Sequence, residues 1–462
     1  MCMEKQIDQW IADHQQQMIE DIGKLIRHKS ISDHHAVGTP YGQGCKDVLE
    51  EMLSLGKSYG FQVKNHEDRC GSICFGCGEK TIGMWGHLDV VPEANGWKYP
   101  PYECTQVGDF LIGRGVSDNK GPSVVALYAM RCIKELNLPF HNKIQQVVGC
   151  DEEKGMSDVE YYVSHEPVPD FSFVTDCGFP VCYAEKGILE IELLSPVLEG
   201  VAALDGGTVS NIVPDFCKIS LSSGNTLPQT LPDGIHMEQK GDQIEVWADG
   251  FSKHVADPYT GVNAIGKLAQ YLSGTDLLSG SDLEAVRFIS TVCGDYNGDG
   301  LGIAYEDEES GKLTCVGSVI HLEQGRVKLT FNIRYSVTAK AEELAEKIKN
   351  CAQAYGWELV YSNDSKPSYY DPDSEQVKAL LEVYAQMTGK QDKAFVMGGG
   401  TYARKIPNAV AYGPGLETDL SPLQLAPGHG DAHCPDEAQS VSNLLTALKI
   451  YIFALLKLDA VL

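Results

Sequence analysis

Basic residues are scarce in this chain: 37 lysines and arginines stand against 64 aspartates and glutamates, a formal net charge of −27 over 462 residues. Nucleic acids and anionic membrane surfaces recruit basic side chains, so neither is expected as a partner. Long apolar runs are missing too. The most apolar stretch, Leu444 to Leu458, is interrupted by Lys449 and Lys457 and is shorter than a bilayer crossing needs, which predicts a buried final helix. The opening residues carry charge from Glu4 onward and no apolar core, which argues against a secretory leader and for a cytoplasmic protein. There is no tandem repeat and no low-complexity segment.

Cysteine is plentiful. Fifteen are scattered along the chain, and the odd number suits reduced thiols better than a disulfide framework. Cys70, Cys74 and Cys77 resemble half of a structural zinc site, but no second Cys or His pair lies at matching spacing, so no metal role is expected there. Cys150, Cys177 and Cys434 adjoin candidate site residues, which suggests sensitivity to oxidation and nothing more.

A chain this long exceeds what one hydrophobic core usually organises, so two domains are expected. Helical spacing of apolar residues predicts helices over 6–28 and 43–59, then short strands over 72–75 and 81–85. A helix follows Gly121-Pro122 to Leu136, and strands fall at 144–150 and 171–175. This alternation predicts an α/β sheet with ligands gathering beyond its strand ends. From Gly187 the texture becomes α+β, with strands at 188–193, 216–221, 243–247 and 327–333 and helices near 261–273 and 340–355. After residue 366 the chain returns to helix (375–388), strand (408–412) and a final helix. The reading is an α/β domain made of 1–186 and 367–462, with an α+β domain, 187–366, inserted between.

Candidate chemistry sits where the predicted strands end. Met84-Trp85-Gly86-His87-Leu88-Asp89 sets a histidine and a carboxylate on one face of a strand, so that His87 could bind a metal while Asp89 reaches a neighbouring group. Further acids and a histidine stand in Gly115-Val116-Ser117-Asp118-Asn119-Lys120-Gly121, in Cys150-Asp151-Glu152-Glu153-Lys154-Gly155, in Val174-Thr175-Asp176, and in His433-Cys434-Pro435-Asp436-Glu437. Any one of them alone would be an ordinary loop residue or cap. Asp295 to Gly300 with Glu306 satisfies a calcium-loop pattern, but the polar, glycine-ended sequence after it offers no exit helix, which favours a turn.

Taken together and in this order, these blocks resemble the two-zinc metallopeptidases that include aminoacylases, carboxypeptidase G, succinyl-diaminopimelate desuccinylase and carnosinase-like dipeptidases. Gly207 to Asp215 and Gly398 to Arg404 look most like the bacterial dipeptidases of that family. The resemblance spans nearly the whole chain and implies a catalytic domain with a mixed central sheet flanked by helices. It implies two divalent ions, zinc in the first place with manganese or cobalt compatible, bridged by Asp118. His87 and Asp176 complete one site, Glu153 and His433 the other. Asp89 would accept the second ring N–H of His87, and Glu152 would be the general base. A cis peptide is implied at Asp118-Asn119. His429 lacks the Pro-Asp-Glu that follows His433 and is read as a loop residue.

The resemblance makes 1–186 and 367–462 the catalytic domain and the inserted 187–366 a lid, in which it assigns His254 to the oxyanion and Asn211 and Arg334 to the oxyanion or the substrate carboxylate. Lys253 stands where relatives have a small residue before that histidine. Arg404, after a glycine run, is a candidate for the substrate's terminal carboxylate. The function implied is hydrolysis of dipeptides with a free amino terminus. An N-acyl-amino-acid deacylase or desuccinylase using the same metals is the alternative, and a non-catalytic metal-binding relative is a third reading. The implied partner is a small peptide substrate. The long lid could supply His254 within one chain, which favours a monomer.

Overall fold

The computed structural model describes residues 2–222 and 230–462. It divides into two compact units, one of Met1–Tyr183, Tyr369–Phe395 and Gly400–Leu462, the other of Ala184–Ser368 and Val396–Gly399. The expected boundaries had put Val396–Gly399 with the catalytic portion. Those residues instead hydrogen-bond to the second unit, where the Lys186 amide donates to the Met397 carbonyl and Arg334 donates to that of Gly398.

In the first unit the central sheet runs Gln62–His66, Cys70–Gly76, Lys143–Gly149, Thr81–His87, Phe171–Val174, Ala409–Ala411 and on to Cys182–Glu185. Lys143–Gly149, Thr81–His87, Phe171–Val174 and Ala409–Ala411 are mutually parallel, and antiparallel strands flank them. Parallel strands must be covered on both faces, which is why they read as apolar runs such as Phe171–Val174, buried throughout. Helices Met3–Ile26, Gln43–Ser58, Lys120–Glu135, Glu375–Thr388 and Val441–Val461 provide much of that cover and share one core with the sheet.

The final helix starts at Ser440, whose hydroxyl accepts the Asn443 amide, and it buries Leu444, Leu448, Ile452 and Leu455. The lysines that interrupt its apolar run reach outward, Lys449 to Glu4 and Asp8 and Lys457 to Glu382. Among the described residues no helix is long and apolar enough to cross a membrane.

The second unit is an eight-stranded antiparallel sheet in the order Ile235–Lys240, Gln243–Asp249, Phe216–Ser222, Val201–Gly206, Thr314–Glu323, Arg326–Tyr335, Gly187–Val197, Glu358–Ser365. Helices Ala264–Ser273, Gly280–Val292 and Ala341–Ala354 pack on it around Ile191, Leu193, Val246, Ile289 and Leu329. Alternation along Gly187–Val197 puts every second side chain in this core, the mark of a sheet with one covered face.

Candidate metal centre

The carboxyl ends of neighbouring parallel strands converge on one place. His87 closes Thr81–His87, the Glu152–Lys154 turn follows Lys143–Gly149, and Asp176 follows Phe171–Val174. This is where open α/β sheets collect ligands. Asp118 arrives just ahead of helix Lys120–Glu135, across a cis Asp118–Asn119 peptide. His433 adopts a left-handed backbone (φ 64°) in the loop before strand Ala438–Ser440, which pairs with Phe110–Ile112 and so fixes that loop beside the segment leading to Asp118.

Asp118 holds the middle. Its Oδ1 lies 2.8 Å from His87 Nε2 and its Oδ2 lies 2.9 Å from His433 Nε2. Glu153 Oε1 stands 3.1 Å from His433 Nε2, and Asp176 Oδ2 stands 3.6 Å from His87 Nε2. Two groups bring donor atoms within 4.8 Å of one another, His87 with Asp118 and Glu153, and His87 with Glu152 and Asp176. The five expected ligands and Glu152 are therefore gathered together. The second group admits Glu152 where the expected sets do not, whereas the direct contacts pair His433 with Glu153.

So many carboxylates packed this closely demand positive charge. Burial, then repulsion from Asp118, pushes Asp176 up to about 7. Burial likewise raises Glu152 and Glu153. Burial acts on Asp118 in the same sense, but hydrogen bonds from His433 and His87 outweigh it and hold its carboxyl far below the usual range. Hydrogen bonds to Asp118 and Glu153 lift His433 to about 11. For His87 burial works against the charged ring, yet Asp118 and Asp89 raise it well above its ordinary value. Imidazole nitrogens and carboxylate oxygens clustered so closely fit divalent ions of the zinc class in donor type and charge.

Asp89 is placed differently from expectation. The Nδ1 of His87 is 2.9 Å from the Asp89 backbone carbonyl and 3.4 Å from its carboxylate. The geometric hydrogen bond goes to the carbonyl, which fixes the Nδ1–H tautomer and leaves Nε2 facing Asp118. The Asp89 carboxylate mainly takes the amides of Glu152 (3.2 Å) and Glu153 (3.1 Å).

From the sequence, the side chains of other residues in this frame had no role, Asn119 having been marked only for its peptide bond. Asn119 is buried; its amide donates to Asp176 Oδ1 (2.9 Å) and its carbonyl oxygen accepts the His87 amide (3.3 Å), tying two ligand strands together. Arg114, Glu437, Asp158 and Tyr402 are also buried there. Tyr402 and Glu437 stand inside quoted blocks and Arg114 and Asp158 just outside them, but nothing local marked any of them, because their partners lie far away in the chain. His429 is occupied elsewhere, its Nδ1 2.7 Å from Asp436 Oδ2. Arg404 sits against Gly400, where an added Cβ would come within 2.2 Å of the guanidinium, so the glycine makes room for the arginine itself.

In the second unit, Asn211 and His254 are exposed neighbours. Residues 212 and 254 form an isolated antiparallel bridge, the Val255 amide donates to the Asn211 carbonyl (3.0 Å), and Val213 and Val255 pack beneath with Val316. Lys253 fits there because its ammonium lies 5.7 Å from the exposed Phe251 ring. Arg334 is only 5% exposed and donates to Asn332 Oδ1 and the Gly398 carbonyl, both at 2.9 Å. The calcium-pattern residues form a turn in which Asp295 accepts the amides of Asn297, Asp299 and Gly300. Among the described residues neither that turn nor the cysteines join a metal-ligand group.

A mixed sheet carrying clustered imidazoles and carboxylates at the ends of its parallel strands, with a separate antiparallel unit spliced into the chain, is the frame of a metal-dependent hydrolase. The family described as Peptidase family M20/M25/M40 matches residues 83–457, and the chain belongs to it: it is a metallopeptidase. It is 33% identical to the putative dipeptidase YtjP of Bacillus subtilis over 96% of this chain and 97% of that protein. It is 29% identical to the Beta-Ala-Xaa dipeptidase of Lactobacillus delbrueckii subsp. lactis, covering 96% of each. The crystal structure of human carnosine dipeptidase 1 superposes with a TM-score of 0.60 at 15% identity over 100% of this chain and 99% of that one, which shows a shared fold.

Proposed function

We propose that this peptidase hydrolyses dipeptides with a free amino terminus at a centre of two divalent ions, zinc foremost. The observation that carries the reading is Asp118, whose two oxygens each meet a different histidine, so that one carboxylate stands between two sets of donors. His87 and Asp176 would hold one ion and Glu153 and His433 the other, with Asp118 common to both. Ions held there supply Lewis acidity and make a bound water acidic enough to lose a proton near neutral pH.

Glu152 is the general base. Its carboxylate reaches the His87–Asp176 group without being needed for either donor set, and burial favours its uptake of a proton from water. It then returns that proton to the leaving amine. His87 and His433 serve through Nε2, and Asn119 keeps Asp176 turned toward them. In the second unit His254, beside Asn211, is assigned to the oxyanion, and Asn211 and Arg334 to the oxyanion or the substrate's carboxylate; Arg404 of the first unit is assigned to the substrate's terminal carboxylate. Dipeptide substrates are supported by the names of the two bacterial relatives.

We place the enzyme in the cytosol, supported by the odd number of cysteines, fifteen scattered along the chain, which suits reduced thiols better than a disulfide framework. A monomer is expected, since the inserted unit is large enough to supply His254 from the same chain; equilibrium sedimentation reads this directly. Metal analysis of the purified chain, run with a panel of Ala-containing dipeptides and their N-acylated forms, tests the whole reading. About two ions per chain and cleavage of the free dipeptides support it. Cleavage of only the blocked forms overturns it in favour of a deacylase.

A further inference from the structure

The Glu152-bearing loop is gripped by buried carboxylates over four successive amides. Asp158 Oδ2 accepts the amides of Cys150 (2.6 Å) and Asp151 (2.8 Å), and Asp89 accepts those of Glu152 and Glu153. Asp158 is itself held, its Oδ1 by the Val159 amide at 2.7 Å and its Oδ2 by the hydroxyl of Tyr402 at 2.5 Å. Tyr402 is 1% exposed and enters from a distant loop through a short turn in which the Thr401 hydroxyl oxygen accepts the Ala403 amide. Its ring also stands edge-on to the imidazole of His87, with centroids 6.3 Å apart.

We propose that Asp158 and Tyr402 are a positioning pair for the general base: Tyr402 fixes the Asp158 carboxylate, Asp158 fixes the backbone of Cys150 and Asp151, and Glu152 is aimed as a result. The pair rests on the reading of Glu152 given above. A further observation supports it: Gly149 lies where an added Cβ would meet both Asp158 Oδ2 and the Tyr402 hydroxyl at 2.1 Å, so the close approach of the pair requires glycine there. A phenylalanine would fill the same space and leave the core packed, so a merely space-filling Tyr402 would tolerate the change.

The test is Tyr402→Phe, with Asp158→Asn beside it, in the full-length metal-loaded enzyme and in its metal-free form. A base displaced by a fraction of an ångström should cost roughly tenfold to hundredfold in kcat while KM stays within about twofold. Bound metal and the thermal midpoint should stay near those of the parent protein. In the metal-free form, amide hydrogen exchange over residues 149–154 should accelerate. A kcat within about twofold of the parent, a kcat loss that tracks lost metal, or unchanged exchange over this segment overturns the proposal. Should Asp158→Asn fail to fold, Tyr402→Phe decides alone. If the parent protein cleaves no dipeptide, the functional reading falls, and the exchange comparison still decides whether the pair holds the loop.

Discussion

Arg114 and Glu437 form an ion pair at 2.8 Å in the interior of the first unit, their side chains 1% and 0% exposed. The same Glu437 carboxylate accepts the amides of Gly115, Ser117 and Asp118, while Arg114 donates to the His433 carbonyl at 3.3 Å. One pair thus joins the backbone carrying Asp118 to the loop carrying His433. Burial pushes the Glu437 carboxyl up, with Asp118 adding to it, and Arg114 opposes both.

Removing the cation should therefore be severe. Arg114→Met leaves Glu437 buried beside Asp118 without its counter-charge, and the expected loss is about 3–5 kcal/mol in urea unfolding. Arg114→Lys should fall between, because an ammonium cannot serve both Glu437 and the His433 carbonyl with a planar fork. A loss below about 1 kcal/mol for Arg114→Met would show that the pair is not a structural tie.

Glu152 and His433 should separate chemistry from metal binding. Glu152→Gln removes the proposed base and keeps the volume, so kcat should fall by roughly 10²–10⁴ while metal content is unchanged. His433→Ala should lower metal content instead, because Asp118 and Glu153 lose their shared imidazole. Elemental analysis alongside kinetics reads both; full activity in the glutamine variant would remove Glu152 from the mechanism.

Gly86 precedes His87 on a strand with no room for a side chain. A Cβ there would lie 2.5 Å from Ser123 Oγ and 2.6 Å from Asn119 Oδ1, the atom that accepts the His87 amide. Gly86→Ala should push Asn119 away, lower the affinity of the metal-free protein for zinc in chelator competition, and destabilise by about 1–3 kcal/mol. Unaltered zinc affinity would mean that Asn119 does not set the position of His87.

Much of this architecture was legible because its elements announce themselves locally. Ile7, Trp10, Ile11, Met18, Ile19, Ile22, Leu25 and Ile26 repeat at helical spacing and are buried along helix Met3–Ile26. Other elements were passed over. Helix Gly280–Val292 shows the same spacing in Ala285, Phe288, Ile289 and Val292, but Ser279 to Asp282 reads as a loop. Strand Glu358–Ser365 is an edge strand with mostly exposed side chains, so no burial pattern marked it. At the site, each candidate ligand stood in a short block of its own. What the blocks could not reveal is pairing over distance: Asp158 with Tyr402 or Arg114 with Glu437 are partners set by the fold, and nothing local distinguishes them from surface residues. Asp89 shows the same limit on a smaller scale, since its spacing from His87 was correct for contact but left open whether carbonyl or carboxylate would make it.

His66 gives a pH dependence whose sign is fixed. The ring is buried on strand Gln62–His66, its Nε2 2.9 Å from Ser72 Oγ and its Nδ1 3.2 Å from Glu166. Burial lowers its pKa below 6.5; Glu166 works in the opposite direction and Lys64 adds to the lowering. Between the lowered folded value and 6.5, the unfolded chain binds a proton that the folded chain refuses. This contribution to stability is therefore fully present above pH 6.5 and is lost as the pH falls through the folded value. His66→Gln removes the titration while leaving a polar group near Ser72. Urea unfolding of both proteins at about pH 7.5 and about pH 5 should show the advantage of the parent over the variant shrinking at the lower pH. An advantage that grows on acidification would mean that His66 is charged in the folded protein, with Glu166 outweighing burial.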